Sequence, residues 1–185
     1  MMSVQTARKE SRYTYEDYMT FPDDPRCEII NGHVYDMTPS PTTAHQRVSL
    51  ELCRLIGNHL KERAHSCLVF NAPLDVVMAE DQVVQPDVFI VCDRQKIEKT
   101  RVLGAPDVIF EIVSVSTTLK DRREKMQIYE RSGVAEYFII DPDAEFIEKY
   151  TPEDGKYRRV GIFAGDAAFT IDTITLELIA GKLFA

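Results

Sequence analysis

The chain has 185 residues, 44% hydrophobic and 28% charged, with a formal net charge of −8. That size and apolar content predict one compact domain over 1–185, and no apolar run reaches the roughly 18 residues of a membrane-spanning helix. The acidic balance excludes a protein that grips long duplex through a globally basic surface; nucleic acid could be met only at a local basic patch, helped by a metal ion that offsets clustered carboxylates. Met1 to Arg12 is polar, without the apolar core of a signal peptide, and is expected to be flexible. Cys27, Cys53, Cys67 and Cys92 are widely spaced with no C-x-x-C pair, which predicts neither a zinc site nor a disulfide framework and fits a reducing cytoplasm.

Thr14 and Asp17 have the spacing of a capping box for a short helix over 13–19, broken by the Phe21–Pro25 stretch. Cys27 to Met37 reads as a hairpin about Asn31-Gly32. Pro39-Ser-Pro41 is a connector, and Thr42 or Thr43 caps a helix to about Arg63 with the apolar stripe Val48, Leu52, Leu55, Ile56 and Leu60. Strands are expected over Ser66–Met78 and Val83–Cys92, then a loop over Asp93–Gly104. A strand over Pro106–Val113, a helix from Leu119 to Ser132 closed by Gly133, and a strand over Ala135–Ile140 form a crossover unit. The segments Phe146–Tyr150, Lys156–Phe163 and Ala168–Leu178 predict a C-terminal β meander with turns at Asp154-Gly155 and Gly165-Asp166. The class is α/β: a mixed central sheet flanked by helices, with an N-terminal hairpin before it.

The Pro106 strand is almost wholly apolar, as a strand covered on both faces tends to be. Alternation puts Val108, Phe110 and Ile112 on one face and Ile109, Glu111 and Val113 on the other. A lone ionised carboxylate between layers is costly, so Glu111 pairs with a cation, binds a metal, or lies where that face meets water. Asp87 begins the neighbouring strand, as a metal ligand or as a turn residue after Pro86. Two such carboxylates can hold Mg²⁺. Asp121, Lys125, Ile128 and Ser132 share a helix face, so Lys125 either looks toward the sheet or forms an i,i+4 surface pair with Asp121. Facing Glu111, its ammonium could orient a water or stabilise transition-state charge while a metal polarises a phosphodiester. His45 shares the inward face of the first long helix, as a site residue or a satisfied histidine. Glu51 on its flank and Glu28 in the hairpin are accessory candidates. Arg94, Lys96, Lys99 and Arg101 are candidate phosphate contacts or an ordinary mixed-charge loop.

In order, Glu28-Ile-Ile-Asn-Gly32, Thr38-Pro-Ser-Pro41 with His45, Gln85-Pro-Asp-Val-Phe-Ile-Val91, Gly104-Ala-Pro-Asp-Val-Ile-Phe-Glu-Ile-Val-Ser114, Asp121 and Lys125 with Tyr129, and Gly133-Val-Ala-Glu-Tyr-Phe-Ile-Ile-Asp-Pro142 resemble the Uma-type restriction endonuclease family of the PD-(D/E)xK nuclease superfamily. The resemblance runs from about Tyr15 to Leu178. It implies a restriction-endonuclease-like core and hydrolysis of phosphodiesters, in DNA, with Mg²⁺ or Mn²⁺. Asp87 becomes the PD aspartate and Glu111 the glutamate of the second motif. The lysine expected two residues later is Val113 here, and the resemblance moves it to Lys125. Asp107 also follows a proline but lies about 13 Å along the strand from Glu111, and ranks below Asp87.

Two other readings compete. One is a nuclease-fold binding module without catalysis. The other is a phosphodiesterase for RNA or a short nucleotide, which an acidic surface suits. The apolar meander is expected to offer a homodimer surface.

Overall fold

The computed structural model describes residues 12–22, 24–37, 40–113 and 124–185. In chain order these form α1 (Tyr15–Tyr18), β1 (Cys27–Ile30), β2 (His33–Asp36), α2 (Thr43–Glu62), β3 (Leu68–Asn71), β4 (Asp75–Ala79), β5 (Gln82–Val84), β6 (Val88–Val91), β7 (Arg101–Leu103) and β8 (Val108–Ile112). Then come α3 (Met126–Ser132), β9 (Glu136–Asp141), β10 (Phe146–Glu153), β11 (Lys156–Ala164), β12 (Ala168–Ile171) and β13 (Leu176–Ile179).

Local signals set the ends of these elements. Thr14 and Asp17 close a reciprocal capping box on α1. Asn31 and Gly32 take φ of 52° and 74°, the left-handed pair that a two-residue hairpin turn needs between β1 and β2. Thr42 caps α2 by accepting from the His45 N–H. Val48, Leu52, Ile56 and Leu60 are buried along α2, each contributing about 1.5–3 kcal/mol by leaving water, which outweighs propensity differences of tenths of a kcal/mol per residue. Gly133, at φ 82°, ends α3.

The strands form two mixed sheets and a ribbon. The six-stranded sheet runs β11-β10-β9-β8-β6-β3 and the five-stranded sheet β2-β1-β5-β4-β7, while β12 and β13 pair separately. The α/β expectation holds, but the mixed sheet is two sheets. Each long strand expected over Ser66–Met78 and Val83–Cys92 is two strands in different sheets. The chain leaves the larger sheet at Ala72-Pro73 and returns at Gln85-Pro86-Asp87, because proline offers no N–H to continue a ladder. The expected Asp93–Gly104 loop contains β7, which pairs in parallel with β4. The first part of the expected Leu119–Ser132 helix lies outside the described residues, as does the expected flexible start apart from Arg12.

The larger sheet is covered on both faces. On one, α2 and the C-terminal ribbon pack over Val88, Ile90, Val108, Phe110 and Ile112. On the other, Ile128 and Tyr129 of α3 and Ile30, Val76 and Val84 of the smaller sheet cover Phe89, Ile109, Val113 and Tyr137. Phe169, Ile171 and Ile174 of the meander are turned into the core, while Val160 and Ile162 on β11 stay exposed. A buried pair secures the ribbon: Lys149 Nζ lies 2.7 Å from Glu136 Oε2, and Glu136 accepts the N–H groups of Asp172 and Thr173.

The cysteines correct one expectation. Cys67 and Cys92 form a disulfide. The β3–β6 register pairs Leu68 with Val91, so its continuation sets the two cysteines directly opposite each other, a proximity that spacing along the chain does not reveal. Among the described residues no helix is long and apolar enough to cross a membrane.

Candidate active site

The β6–β8 ladder pairs Val88 with Phe110, and continuing it by one residue sets Asp87 opposite Glu111. Ile109 and Val113 belong to the core layer that includes α3, so strand alternation places Glu111 on that face. Asp87 Oδ2 accepts the Ile112 N–H at 2.8 Å, and its Oδ1 lies 3.0 Å from His45 Nε2. The aspartate is thus more than a turn residue: it ties the start of β6 both to the end of β8 and to α2.

Glu111 is 2% exposed and Lys125 5%. Lys125 Nζ donates to Glu111 Oε1 at 2.9 Å and lies 3.0 Å from Glu28 Oε1. Tyr129, one helical turn after Lys125, donates its hydroxyl to the same Glu111 oxygen at 2.5 Å. The Gln85 backbone N–H donates to Glu28 Oε1 at 3.0 Å. Lys125 is therefore an inward-facing buried cation, held by carboxylates from both sheets. Unpaired, such an ammonium would cost several kcal/mol in lost hydration.

Electrostatics sharpen this arrangement. Burial, then the Glu111 carboxylate, pushes the Tyr129 phenol well above its ordinary range, with Lys125 acting in the opposite direction. Tyr129 is therefore a hydrogen-bond donor at physiological pH. Glu28 and Glu111 share the Lys125 ammonium, while Asp87 is partnered by His45. His45 Nδ1 is buried with no hydrogen-bond partner among the described residues.

No group of three His, Cys, Asp or Glu side chains among the described residues is arranged to hold a metal. Mg²⁺ is commonly held by only one or two carboxylates together with water and substrate phosphate, so Asp87 and Glu111 fit it by donor chemistry.

Other candidates fall elsewhere. Glu51 is bound by Arg54 on the flank of α2, and that guanidinium holds its carboxyl below the usual range. Asp107 accepts the Cys92 N–H at 2.7 Å, a turn-stabilising contact. Arg94 and Lys96 donate to the carbonyls of Ser66 and Ala105. They follow the C-terminal end of β6, whereas Asp87 precedes its other end. Arg101 pairs with Glu98 and lies over the Tyr15 ring; Lys99 is exposed. Asp121 lies outside the described residues. Sequence reasoning gave Tyr129 and Gln85 no place here. The i,i+4 spacing of Lys125 and Tyr129 was the available signal for the first; nothing local marks a backbone N–H as the partner of Glu28.

Comparison with known proteins places this geometry in context. Residues 14–180 match the family model Uma2, described as "Putative restriction endonuclease". An uncharacterised protein of Synechocystis is 26% identical over 143 residues, covering 75% of this chain and 74% of that protein. A crystal structure described as a "putative nuclease belonging to DUF820" from Anabaena variabilis superposes with a TM-score of 0.77 at 22% identity, covering 92% of this chain and 97% of that one. That likeness establishes the shared fold.

Proposed function

The chain belongs to the Uma2 family, and from that membership together with the site geometry we propose that it is a metal-dependent endonuclease hydrolysing phosphodiester bonds in DNA. The observation that carries the proposal is Lys125, delivered from a helix to within 2.9 Å of Glu111 beside the Asp87 strand end. Asp87 and Glu111 would hold Mg²⁺ or Mn²⁺, which supplies Lewis-acid polarisation of the phosphodiester and acidifies water. His45 and the Ile112 N–H fix the Asp87 carboxylate, and Tyr129 fixes that of Glu111. The Lys125 ammonium offsets negative charge that builds on the phosphoryl oxygens as water adds and the leaving oxygen departs. Substrate approaches from the Asp87 side, where the Asp87 and His45 side chains are 20% and 14% exposed.

Purified protein incubated with supercoiled plasmid and Mg²⁺ or Mn²⁺ tests this. Nicking is expected with metal, is lost with EDTA, and is lost in Glu111→Ala. Absence of nicking with either metal by folded protein overturns the catalytic reading.

The burial of Lys125 and Glu111 favours a second reading, a binding module without catalysis. It predicts nucleic-acid binding that needs no metal and survives Glu111→Ala.

A further inference from the structure

Gln85 stands where the chain passes from the smaller sheet to the larger, just beyond β5 and just ahead of Pro86 and Asp87. The β4–β5 ladder pairs Val76 with Val84, and continuing it by one residue sets Gln85 opposite Asp75. Gln85 is 6% exposed. Its Nε2 donates to Asp75 Oδ1 at 2.8 Å and to the Tyr18 hydroxyl at 3.3 Å. The Tyr18 hydroxyl donates to the same Asp75 oxygen at 2.9 Å. The three groups form a closed triangle of hydrogen bonds. It fixes which end of the amide is nitrogen, because a flip would turn oxygen against the Asp75 carboxylate. A glutamate at this position would set two carboxylates against each other, and an aliphatic side chain would take a donor from both Asp75 and Tyr18.

The main chain of Gln85 meets a second carboxylate. Its N–H donates to Glu28 Oε1 at 3.0 Å, and that oxygen also lies 3.0 Å from Lys125 Nζ. Lys125 divides its ammonium between Glu28 and Glu111. The Gln85 N–H offsets part of the charge on Glu28 Oε1, which weakens the hold of that oxygen on the ammonium and leaves more of it to Glu111. Past Pro86 comes Asp87, whose Oδ2 accepts the Ile112 N–H. Proline fixes its own φ, so the orientation given to Gln85 passes along a stiff link to the Asp87 carboxylate. We infer that Gln85 is a positioning residue: its side chain is clamped in the smaller sheet, and its main chain thereby sets both the division of Lys125 between two carboxylates and the place of Asp87. The inference rests on the nuclease reading above, in which Asp87 and Glu111 hold the metal.

Gln85→Met keeps the side-chain length and the main-chain N–H and removes the clamp. Two readouts on folded protein, well below the Tm, test the role. The Ile112 amide proton in a nitrogen–proton correlation spectrum reports its bond to Asp87, and it is expected to move upfield in Gln85→Met as that bond lengthens. The electron paramagnetic resonance signal of free Mn²⁺ reports metal affinity, which is expected to fall about tenfold. A loss of stability alone would leave both readings where they are. Asp75→Asn keeps an acceptor oxygen for both donors and is expected to hold both values. Tyr18→Phe removes one contact of the clamp and is expected to shift both readings the same way by less. An unmoved Ile112 amide in folded Gln85→Met, or in Tyr18→Phe where the first variant does not fold, overturns the positioning role. Unchanged Mn²⁺ affinity in that variant also overturns it when Asp87→Asn loses that affinity. If Asp87→Asn binds Mn²⁺ as tightly as the unmodified protein, the metal reading fails, and the Ile112 amide alone decides the positioning role.

Discussion

Lys125 Nζ and Glu111 Oε1 lie 2.9 Å apart, both buried, and the same ammonium reaches Glu28 of the other sheet at 3.0 Å. Removing the cation leaves two buried carboxylates without the ammonium they share, held by the Tyr129 hydroxyl and the Gln85 N–H. Lys125→Met is therefore expected to lower unfolding free energy by about 3–5 kcal/mol, read as a drop in the urea midpoint. Unchanged stability would show that the ammonium is not held in this way.

Tyr129→Phe tests the second donor to Glu111. Its loss leaves the carboxylate short of a hydrogen bond, at a cost of about 1–3 kcal/mol. The nicking rate should fall roughly tenfold while the circular dichroism spectrum is retained. Full activity in this variant would remove Tyr129 from the positioning role given to it.

The buried phenols set a pH dependence. Tyr129, Tyr18 and Tyr157 all have folded-state values raised above the ordinary 10.0, each chiefly by burial. Between the unfolded and folded values the native state binds more protons, so stability falls as pH rises. Their contribution is whole below about pH 10 and is lost above it. Urea midpoints from neutral pH to pH 11 should show a steep fall beginning near pH 10. A midpoint that stays flat across that range contradicts the burial of these groups.

Metal affinity can be read without catalysis. A cation that binds the native state stabilises it by about 2.7 kcal/mol at one hundred times its dissociation constant. Mg²⁺ or Mn²⁺ should raise the Tm of the unmodified protein and leave that of Asp87→Asn nearly unchanged. An equal rise in both proteins places the ion elsewhere.

Lys149 and Glu136 supply a control remote from this chemistry. Lys149→Met leaves Glu136 buried beside the ribbon and is expected to cost about 3–5 kcal/mol. Nicking per folded molecule should remain, as measured well below the Tm. Loss of nicking in folded Lys149→Met would join the ribbon to the site.

What could be read from the chain alone was largely what neighbours in sequence decide. The Thr14–Asp17 box, the Asn31-Gly32 turn, the α2 stripe and the Gly133 stop each depend on residues within a few positions. The facing of Glu111 was legible too, since strand alternation is local. The division into two sheets was not: Val76 and Phe89 have the same β-forming character, and only their hydrogen-bond partners distinguish the sheets. The Cys67–Cys92 bond depends on inter-strand register, and so does the Lys149–Glu136 pair, which joins neighbouring strands. Glu28 looked peripheral because its partner lies 97 positions away, the difference between 125 and 28.

The joint held by Lys125 bears on when the centre comes into being. Glu28 lies in the first strand and Tyr129 in the last long helix, and the contacts between them cross two sheets. A fragment ending before Tyr129, or one in which only a single sheet has formed, lacks part of the centre. During synthesis, the Glu28–Lys125–Glu111 joint can therefore close only after about two thirds of the chain has emerged and docked.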